Sequence, residues 1–237
     1  MLPYVLFFNH SSHTMTARLV AIITILCCLV LEASGQGVDY DAKMRQAGLV
    51  DLAELGQGII VDLKYASSHN FTGKNMYGGF SRAYLVEPAA RALRKALKQL
   101  QEVNPHLGFI IYDAARPISV QRQMWNAVRG KPGRRYVAPP YHGGPHNYGV
   151  ALDISLTYMG IPLDMGTPFD TFTDDAHITA ENYLVKKGRI SRHAMKARRL
   201  MRKVLTDNGF LTYSREWWHF EYVRVGKARH RFALLNF

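Results

Sequence analysis

The stretch that most constrains the fold is SREWWHF, residues 214–220, near the end of the chain. It places Glu216 three positions before His219 and flanks both with large aromatic side chains, which can exclude bulk water. Residues 217–223 are predicted to form a β-strand, and side chains three positions apart on a regular strand point to opposite faces. If Glu216 is a general base and His219 a metal ligand of one site, the strand begins after Glu216 or has a bulge there.

A second stretch, HNYGVALD, supplies His146 and Asp153 on either side of Gly149. Glycine allows the chain to turn, so that a loop residue and a strand residue can converge. With His219 they make three candidate ligands of the kind that zinc binds, and Glu216 remains unligated. Catalytic zinc needs three protein ligands and an open position for water. The alternative for any one of these histidines is a structural role.

A third stretch, YDAARP, ends in Arg116 and Pro117. It lies between the predicted end of a strand and a proline that starts a helix, so its backbone is held firmly. A fixed guanidinium near a metal can stabilise the oxyanion that forms when a carbonyl is attacked. The alternative is an ion pair with Asp113.

The first residues have the layout of a secretory signal peptide. Residues 19–31 form a largely apolar stretch, with Arg18 before it and the small residues ASG after it. This stretch is too short to span a membrane comfortably, although a retained anchor is the alternative. We therefore expect residues 1–35 to be removed, with Met15 as an alternative start. Residues 36–237 are expected to form one exported domain, periplasmic or extracellular.

Composition narrows the partners. Both cysteines lie in the predicted signal peptide, so the mature protein has no disulfide and no cysteine ligand. The net charge is +12, and nine cations fall in residues 186–203. They indicate a solvated helix face or, alternatively, attraction to an anionic wall or membrane surface. No nucleic-acid reader motif is present, so nucleic acid is not an expected partner.

Strands and helices alternate along the chain. Strands are predicted over residues 58–66, 108–112, 150–156 and 217–223, and helices begin at Pro88, at Pro117 and after Ser191. The strands alternate apolar and polar residues, which favours an antiparallel sheet with one open face. The predicted fold is α+β, a single domain with a central antiparallel sheet, helices packed around it and the zinc site on the sheet.

These motifs together resemble the zinc D-alanyl-D-alanine dipeptidases, the group that includes the vancomycin-resistance enzymes, within the zinc D,D-carboxypeptidases. That family shows H-x6-D with an internal glycine, then E-x-W-H, with an arginine-proline pair upstream. Two further segments resemble the family: DLKYA followed by NFTG, which contains Tyr65, and MGTPFD, which ends at Asp170. The resemblance runs from about residue 51 to residue 222.

The resemblance implies a role for each candidate residue. His146, Asp153 and His219 would bind one zinc ion per chain, Glu216 would be the base, and Arg116 would stabilise the transition state. By the same resemblance, Tyr65 and Asp170 would recognise the ammonium of the dipeptide D-Ala-D-Ala. The expected reaction is hydrolysis of that dipeptide, linked to peptidoglycan metabolism.

One position departs from the family pattern. The family commonly has serine two residues before the first ligand, and this chain has Gly144, so the preferred dipeptide is left open. Two other functions are considered. One is a D,D-carboxypeptidase or endopeptidase on larger muropeptides, which needs an open cleft. The other is a zinc-containing binding module for wall peptides, which would have no use for an unligated Glu216.

Overall fold

The computed structural model describes residues 38–237. The predicted signal peptide, residues 1–35, lies outside the described residues. No helix within the described range combines the length and the apolar character needed to cross a membrane.

The described part of the chain contains eight strands, most of them in one central sheet. They are β1 (Leu49–Asp51), β2 (Ile59–Val61), β3 (Tyr84–Val86), β4 (Leu107–Asp113), β5 (Ala151–Tyr158), β6 (Ile161–Pro162), β7 (Leu211–Tyr213) and β8 (Glu216–Glu221). The sheet has the order β2–β4–β5–β8–β7, with β6 paired to β5, and β1 pairs with β3 separately. The pairing of β2 with β4 is parallel and the other pairings are antiparallel. The predicted antiparallel sheet is therefore observed except at its β2 edge.

Six α-helices accompany these strands in the described part of the chain. They are α1 (Tyr40–Gln46), α2 (Glu87–Val103), α3 (Ile118–Ala127), α4 (Glu181–Lys186), α5 (Arg192–Asp207) and α6 (Val225–Arg231). Pro88 lies in the first turn of α2, where its missing N–H is not needed. The side chain of Ser191 caps α5 by accepting a hydrogen bond from Ala194 N at 2.9 Å. These starts confirm the helices predicted at Pro88 and after Ser191, and the α+β single-domain fold is confirmed.

The predicted open face of the sheet is wrong. β4 is buried along its whole length, and β5 is buried at every residue but the last. The polar positions of β5 lie inside the protein, because Asp153, Ser155 and Thr157 are each less than 5% exposed. The alternation along β5 separates an apolar layer from a buried polar layer. It does not separate a core from solvent.

The segment predicted as one strand over residues 58–66 divides in two. Its first part is β2, and Lys64–Ala66 form a single turn of 3₁₀ helix. The turn is closed by a hydrogen bond from Ala66 N to Leu63 O at 3.0 Å. Tyr65 is thereby directed into the protein, where its side chain is 3% exposed.

Arg198 in α5 is one of the cations predicted to be solvated or to face an anionic surface, and it is buried instead. Its Nε donates to Met165 O at 2.7 Å, and its Nη1 donates to Asp175 O at 3.0 Å. Its guanidinium also lies over the ring of Trp217, with Cζ 5.5 Å from the ring centroid. Arg198 therefore ties the loop between residues 165 and 175 to α5.

Candidate metal centre

The three predicted metal ligands converge from a turn and two strands. His146 lies in a turn of 3₁₀ helix, Pro145–Tyr148, while Asp153 lies in β5 and His219 in β8. Gly149 ends the turn with a φ of 63°, and a Cβ there would come within 3.0 Å of a leucine methyl. Glycine adopts this left-handed conformation without a steric penalty. The register of the sheet then pairs Asp153 with His219 across β5 and β8.

The ligand atoms form a small triangle. His219 Nδ1 is 2.9 Å from Asp153 Oδ1 and 3.2 Å from His146 Nε2. His146 Nε2 is 3.4 Å from Asp153 Oδ1. Around a tetrahedral ion with bonds of about 2.0 Å, ligand atoms lie roughly 3.3 Å apart. The described residues therefore include a buried group of one carboxylate and two imidazoles that is able to bind a metal ion.

Each imidazole is oriented by a partner on its other nitrogen. His146 Nδ1 lies 2.7 Å from the carbonyl oxygen of Ala114, which can only accept, so Nδ1 carries the proton. His219 Nε2 lies 3.5 Å from Glu221 Oε1. When Nε2 carries the proton, the lone pair on His219 Nδ1 is available to bind a metal ion. Such partners fix the tautomer and ring orientation of metal-binding histidines.

The charges around this triangle favour a cation within it. Burial lowers the pKa of His219, but the carboxylates of Asp153 and Glu221 outweigh it and raise that pKa to about 10. Burial raises the pKa of Asp153, but His146 and His219 hold it below its ordinary value. The donor set thus stabilises positive charge, whether it is carried by a proton or by a metal ion.

Glu216 stands beside the triangle without belonging to it. Tyr213 pairs with Glu216 and Thr212 pairs with Phe220, so residues 217–219 form a bulge in β8. The bulge brings Glu216 Oε2 to 3.9 Å from His219 Nδ1. The strand thus bulges at the position that the sequence required.

Burial raises the pKa of Glu216 to about 7, because the charged carboxylate loses contact with water. The nearby His219 lowers that pKa, and Asp153 adds to the rise. A group with a pKa near neutrality is suited to take up and release a proton. The position and the protonation of Glu216 therefore fit a general base.

Tyr65 and Asp170, which are 105 positions apart in the sequence, meet in the structure. The Tyr65 hydroxyl lies 3.0 Å from Asp170 Oδ1 and 3.1 Å from Oδ2. Burial raises the pKa of Asp170 well above its ordinary value, and the charge of Asp153 adds to this effect. Asp170 also has a φ of 59°, an uncommon conformation for a residue other than glycine. Strain of this kind is held in place by the surrounding structure and is frequent at ligand sites.

Arg116 forms the ion pair with Asp113 that was the alternative interpretation of its sequence. Its Nε donates to Asp113 Oδ2 at 2.8 Å, and its Nη1 donates to Gln121 Oε1 at 2.8 Å. Its guanidinium lies over the ring of Tyr65, with Cζ 5.2 Å from the centroid. Asp113 in turn accepts a hydrogen bond from Tyr77 at 2.6 Å. The ion pair therefore fixes the orientation of the Arg116 guanidinium. This group lines the cavity that contains the site.

All of the predicted site residues line one cavity of about 310 Å³. They are Tyr65, Arg116, His146, Asp153, Asp170, Glu216 and His219. Gly144 lies in the same wall, and aromatic rings that include Phe172 and Tyr213 complete the lining.

Three supporting residues were not assigned a site role from the sequence: Asp113, Gln121 and Glu221. Glu221 had a usable signal, because it lies two residues after His219 on the same strand and therefore on the same face. Asp113 was named only as an alternative partner of Arg116. Nothing in the sequence indicated a role for Gln121, since its contact with Arg116 depends on the angle between α3 and the turn before it.

Three candidate ligands beside an unligated carboxylate match the residue set of a hydrolytic metal centre. The site thus has the residues expected of a metal-dependent hydrolase. The family model described as "D-ala-D-ala dipeptidase" matches residues 45–234. The chain belongs to this family of peptidases.

Three curated relatives are named D-alanyl-D-alanine dipeptidase. The relative from Escherichia coli is 35% identical over 174 residues, covering 73% of this chain and 83% of that protein. The relative from Enterococcus faecalis is 28% identical, covering 74% of this chain and 92% of that protein. The relative from Streptomyces coelicolor is 29% identical, covering 70% of this chain and 87% of that protein.

The contact between Glu221 and His219 predicts an effect on metal affinity. We expect Glu221→Ala to weaken Zn²⁺ binding by about 10–100-fold, since the imidazole loses the partner that orients it. Glu221→Gln should retain part of the affinity, because its amide oxygen still accepts a hydrogen bond. Competition with a chromophoric chelator measures the dissociation constants.

Arg224→Ala is the matched control. Arg224 Nη1 lies 3.1 Å from Glu221 Oε2, so this variant removes the outer partner of the carboxylate and leaves its contact with His219 in place. We expect its Zn²⁺ affinity to stay within a few-fold of the unmutated protein. Equal affinities for Glu221→Ala and the unmutated protein would remove Glu221 from the metal centre.

Proposed function

We propose that this protein is a zinc-dependent dipeptidase that hydrolyses D-Ala-D-Ala to two molecules of D-alanine, as part of peptidoglycan metabolism. The observation that carries the proposal is the Tyr65–Asp170 pair, which lies in the same cavity as the metal-binding triangle. A metal centre alone indicates hydrolysis. A buried carboxylate near it indicates a substrate with a positive charge close to the scissile bond.

His146, Asp153 and His219 would hold one zinc ion. When bound, zinc supplies a Lewis acid that polarises the scissile carbonyl and brings the pKa of a water molecule to about 7. The set of two imidazoles and one carboxylate matches the nitrogen and oxygen ligands that zinc takes at catalytic sites. The absence of cysteine from residues 36–237 is consistent with this set.

Glu216 would act as the general base and then as the general acid. Its carboxylate accepts a proton from the attacking water and donates it to the amine of the leaving D-alanine. Support comes from its bulged position, with Oε2 3.9 Å from His219 Nδ1, and from its raised pKa, which eases the return of the proton.

Arg116 would stabilise negative charge on the carbonyl oxygen in the transition state. Asp113 and Gln121 hold its guanidinium in one orientation, so little reorganisation is needed as the charge develops. A donor of this kind typically contributes about 10²–10³ in turnover.

Tyr65 and Asp170 would recognise the free ammonium of the dipeptide. A carboxylate facing an ammonium makes a charge-assisted hydrogen bond, which is stronger than a neutral one. A substrate with a blocked or extended amino end would leave Asp170 buried without its cationic partner. This selects the dipeptide over longer muropeptides, and cleavage of muropeptides would instead indicate a D,D-carboxypeptidase.

We also propose that the protein acts outside the cytoplasm. Support comes from the apolar stretch over residues 19–31, with Arg18 before it and small residues after it.

Two substitutions separate the base from the ligands. We expect Glu216→Gln to retain about one zinc ion per chain and to lose nearly all turnover, because an amide cannot accept the proton. His219→Ala should lose zinc and turnover together, because two ligands remain instead of three. Metal analysis of the purified variants and an assay for released D-alanine measure the two properties. Equal loss of zinc from both variants would contradict this division of roles.

The role of Asp170 is tested by the amino end of the substrate. We expect the unmutated protein to prefer D-Ala-D-Ala over its N-acetylated form by about 10⁴ or more in kcat/KM. Asp170→Asn should narrow this ratio at least tenfold, because the charged partner is lost. Asparagine tolerates the left-handed backbone at this position, so the fold should survive.

Asp174→Asn is the control for this measurement, since its side chain lies on the same loop and is 80% exposed. It should leave the ratio unchanged. If Asp170→Asn also left the ratio unchanged, Asp170 would be a structural residue of the loop. Comparable rates on free and acetylated dipeptide by the unmutated protein would favour the carboxypeptidase.

Export predicts the amino terminus of the mature protein. We expect it to begin at or near Gln36 and to be recovered outside the cytoplasm of the native host. Mass spectrometry of the intact protein checks both points. Recovery of a cytoplasmic product that begins at Met1 or Met15 would reject export.

A further inference from the structure

In the proposed function, Tyr65 and Asp170 bind the ammonium of the dipeptide, but no residue is yet assigned to its carboxylate. The following inference rests on the proposed function, because it concerns the other end of the same substrate. Four acidic residues line the cavity: Asp153, Asp170, Glu216 and Glu221. A substrate carboxylate among them needs a cation. Arg116 is already engaged by Asp113 and Gln121.

Arg135 is the second arginine that lines the cavity. Its guanidinium forms no ion pair or hydrogen bond with any other residue that the structure describes, and its Cζ lies 5.1 Å from the ring centroid of Tyr136. The Arg135 side chain is exposed to solvent, so its charged guanidinium is not buried in the protein. It therefore has its full set of donors available to a ligand.

The segment that carries Arg135 is anchored just after this residue in the sequence. Next to Arg135, the ring of Tyr136 stacks on Phe172, with centroids 4.8 Å apart and an interplanar angle of 16°. Further along the chain, the carbonyl oxygen of Ala138 accepts a hydrogen bond from Gln121 Nε2 at 2.7 Å. The backbone that follows Arg135 is thereby held as a wall of the cavity.

The same segment closes the space beside Gly144. A Cβ built on Gly144 would lie 3.0 Å from the Cβ of Ala138, which is tighter than ordinary contact. Gly144 therefore brings no hydroxyl to the cavity, and Ala138 occupies the space such a side chain would need. Within this wall, Arg135 is a side chain that can donate to a carboxylate.

We propose that Arg135 binds the terminal carboxylate of the substrate. A guanidinium matches a carboxylate with two parallel hydrogen bonds, which gives directional as well as electrostatic recognition. Arg135 then makes the site selective for peptides whose carboxyl end is free. The dipeptide is recognised at both ends, by Asp170 at the ammonium and by Arg135 at the carboxylate.

The experiment compares D-Ala-D-Ala with its C-terminal amide on the zinc-loaded full-length protein. We measure kcat/KM for hydrolysis and, in the Glu216→Gln background, the dissociation constants of both uncleaved ligands by calorimetry. We expect Arg135→Gln to weaken binding and kcat/KM for the free acid by about 10–100-fold, the usual range for a hydrogen bond to a charged group. Binding of the amide should change little, so the preference for the acid should collapse.

Two further variants sharpen the comparison. Arg135→Lys should retain part of the preference, because an ammonium keeps the charge and loses the fork of donors. Arg134→Gln is the matched control, since Arg134 lies over the ring of Trp125 at 4.0 Å and lines no part of the cavity. It should leave both ligands unaffected.

The outcomes separate this inference from the proposed function. Hydrolysis of D-Ala-D-Ala with an acid preference that survives Arg135→Gln would overturn the role of Arg135 and leave the dipeptidase standing. Binding of the acid that depends on Arg135, without hydrolysis by the unmutated protein, would support the role and reject the dipeptidase. Absence of binding to the Glu216→Gln protein, together with absence of hydrolysis by the unmutated protein, would overturn both.

Discussion

The antiparallel pairing of β5 with β8 is the constraint on which the site depends. It sets Asp153 opposite His219, and the neighbouring pair Leu152 and Phe220 is almost completely buried. A shift of the register by one residue would turn each of these side chains to the other face of the sheet. The apolar core therefore positions the predicted metal ligands. The bulge in β8 lies beside this pairing and allows Glu216 to face the same cavity.

The site concentrates negative charge where the protein interior makes it costly. Asp153, Asp170 and Glu216 lie around one small cavity, and burial alone would favour their neutral forms. The arrangement becomes reasonable if a divalent cation and a substrate ammonium offset two of these charges. Arg116 contributes less net charge than its position suggests, because Asp113 is paired with it. The same interactions that orient Arg116 therefore moderate its charge.

The residues that share the cavity were predicted from the sequence better than the sheet that carries them. The spacing of Glu216 and His219 is incompatible with one site on a regular strand, so their assignment to one site required a bulge or a strand that begins after Glu216, and the bulge is observed. The buried polar face of β5 could not be predicted, because alternation along Asp153, Ser155 and Thr157 looks the same whether that face meets solvent or a covering loop. The parallel pairing of β2 was missed because alternation along a strand carries no information on the direction of the neighbouring strand. Glu221 was on the predicted strand, but its contact with His219 depends on side-chain positions.

Arg198 holds the loop that carries Asp170 chiefly through the main-chain oxygens of Met165 and Asp175. Every residue type offers such an oxygen, so this attachment places few demands on the side chains between the two anchors. Substitutions between the two anchors should therefore leave the connection to α5 in place, provided that they keep Thr167, whose hydroxyl also accepts from Arg198 Nη2 at 3.3 Å. The tether thus separates what holds the loop in place from most of the side chains that the loop presents.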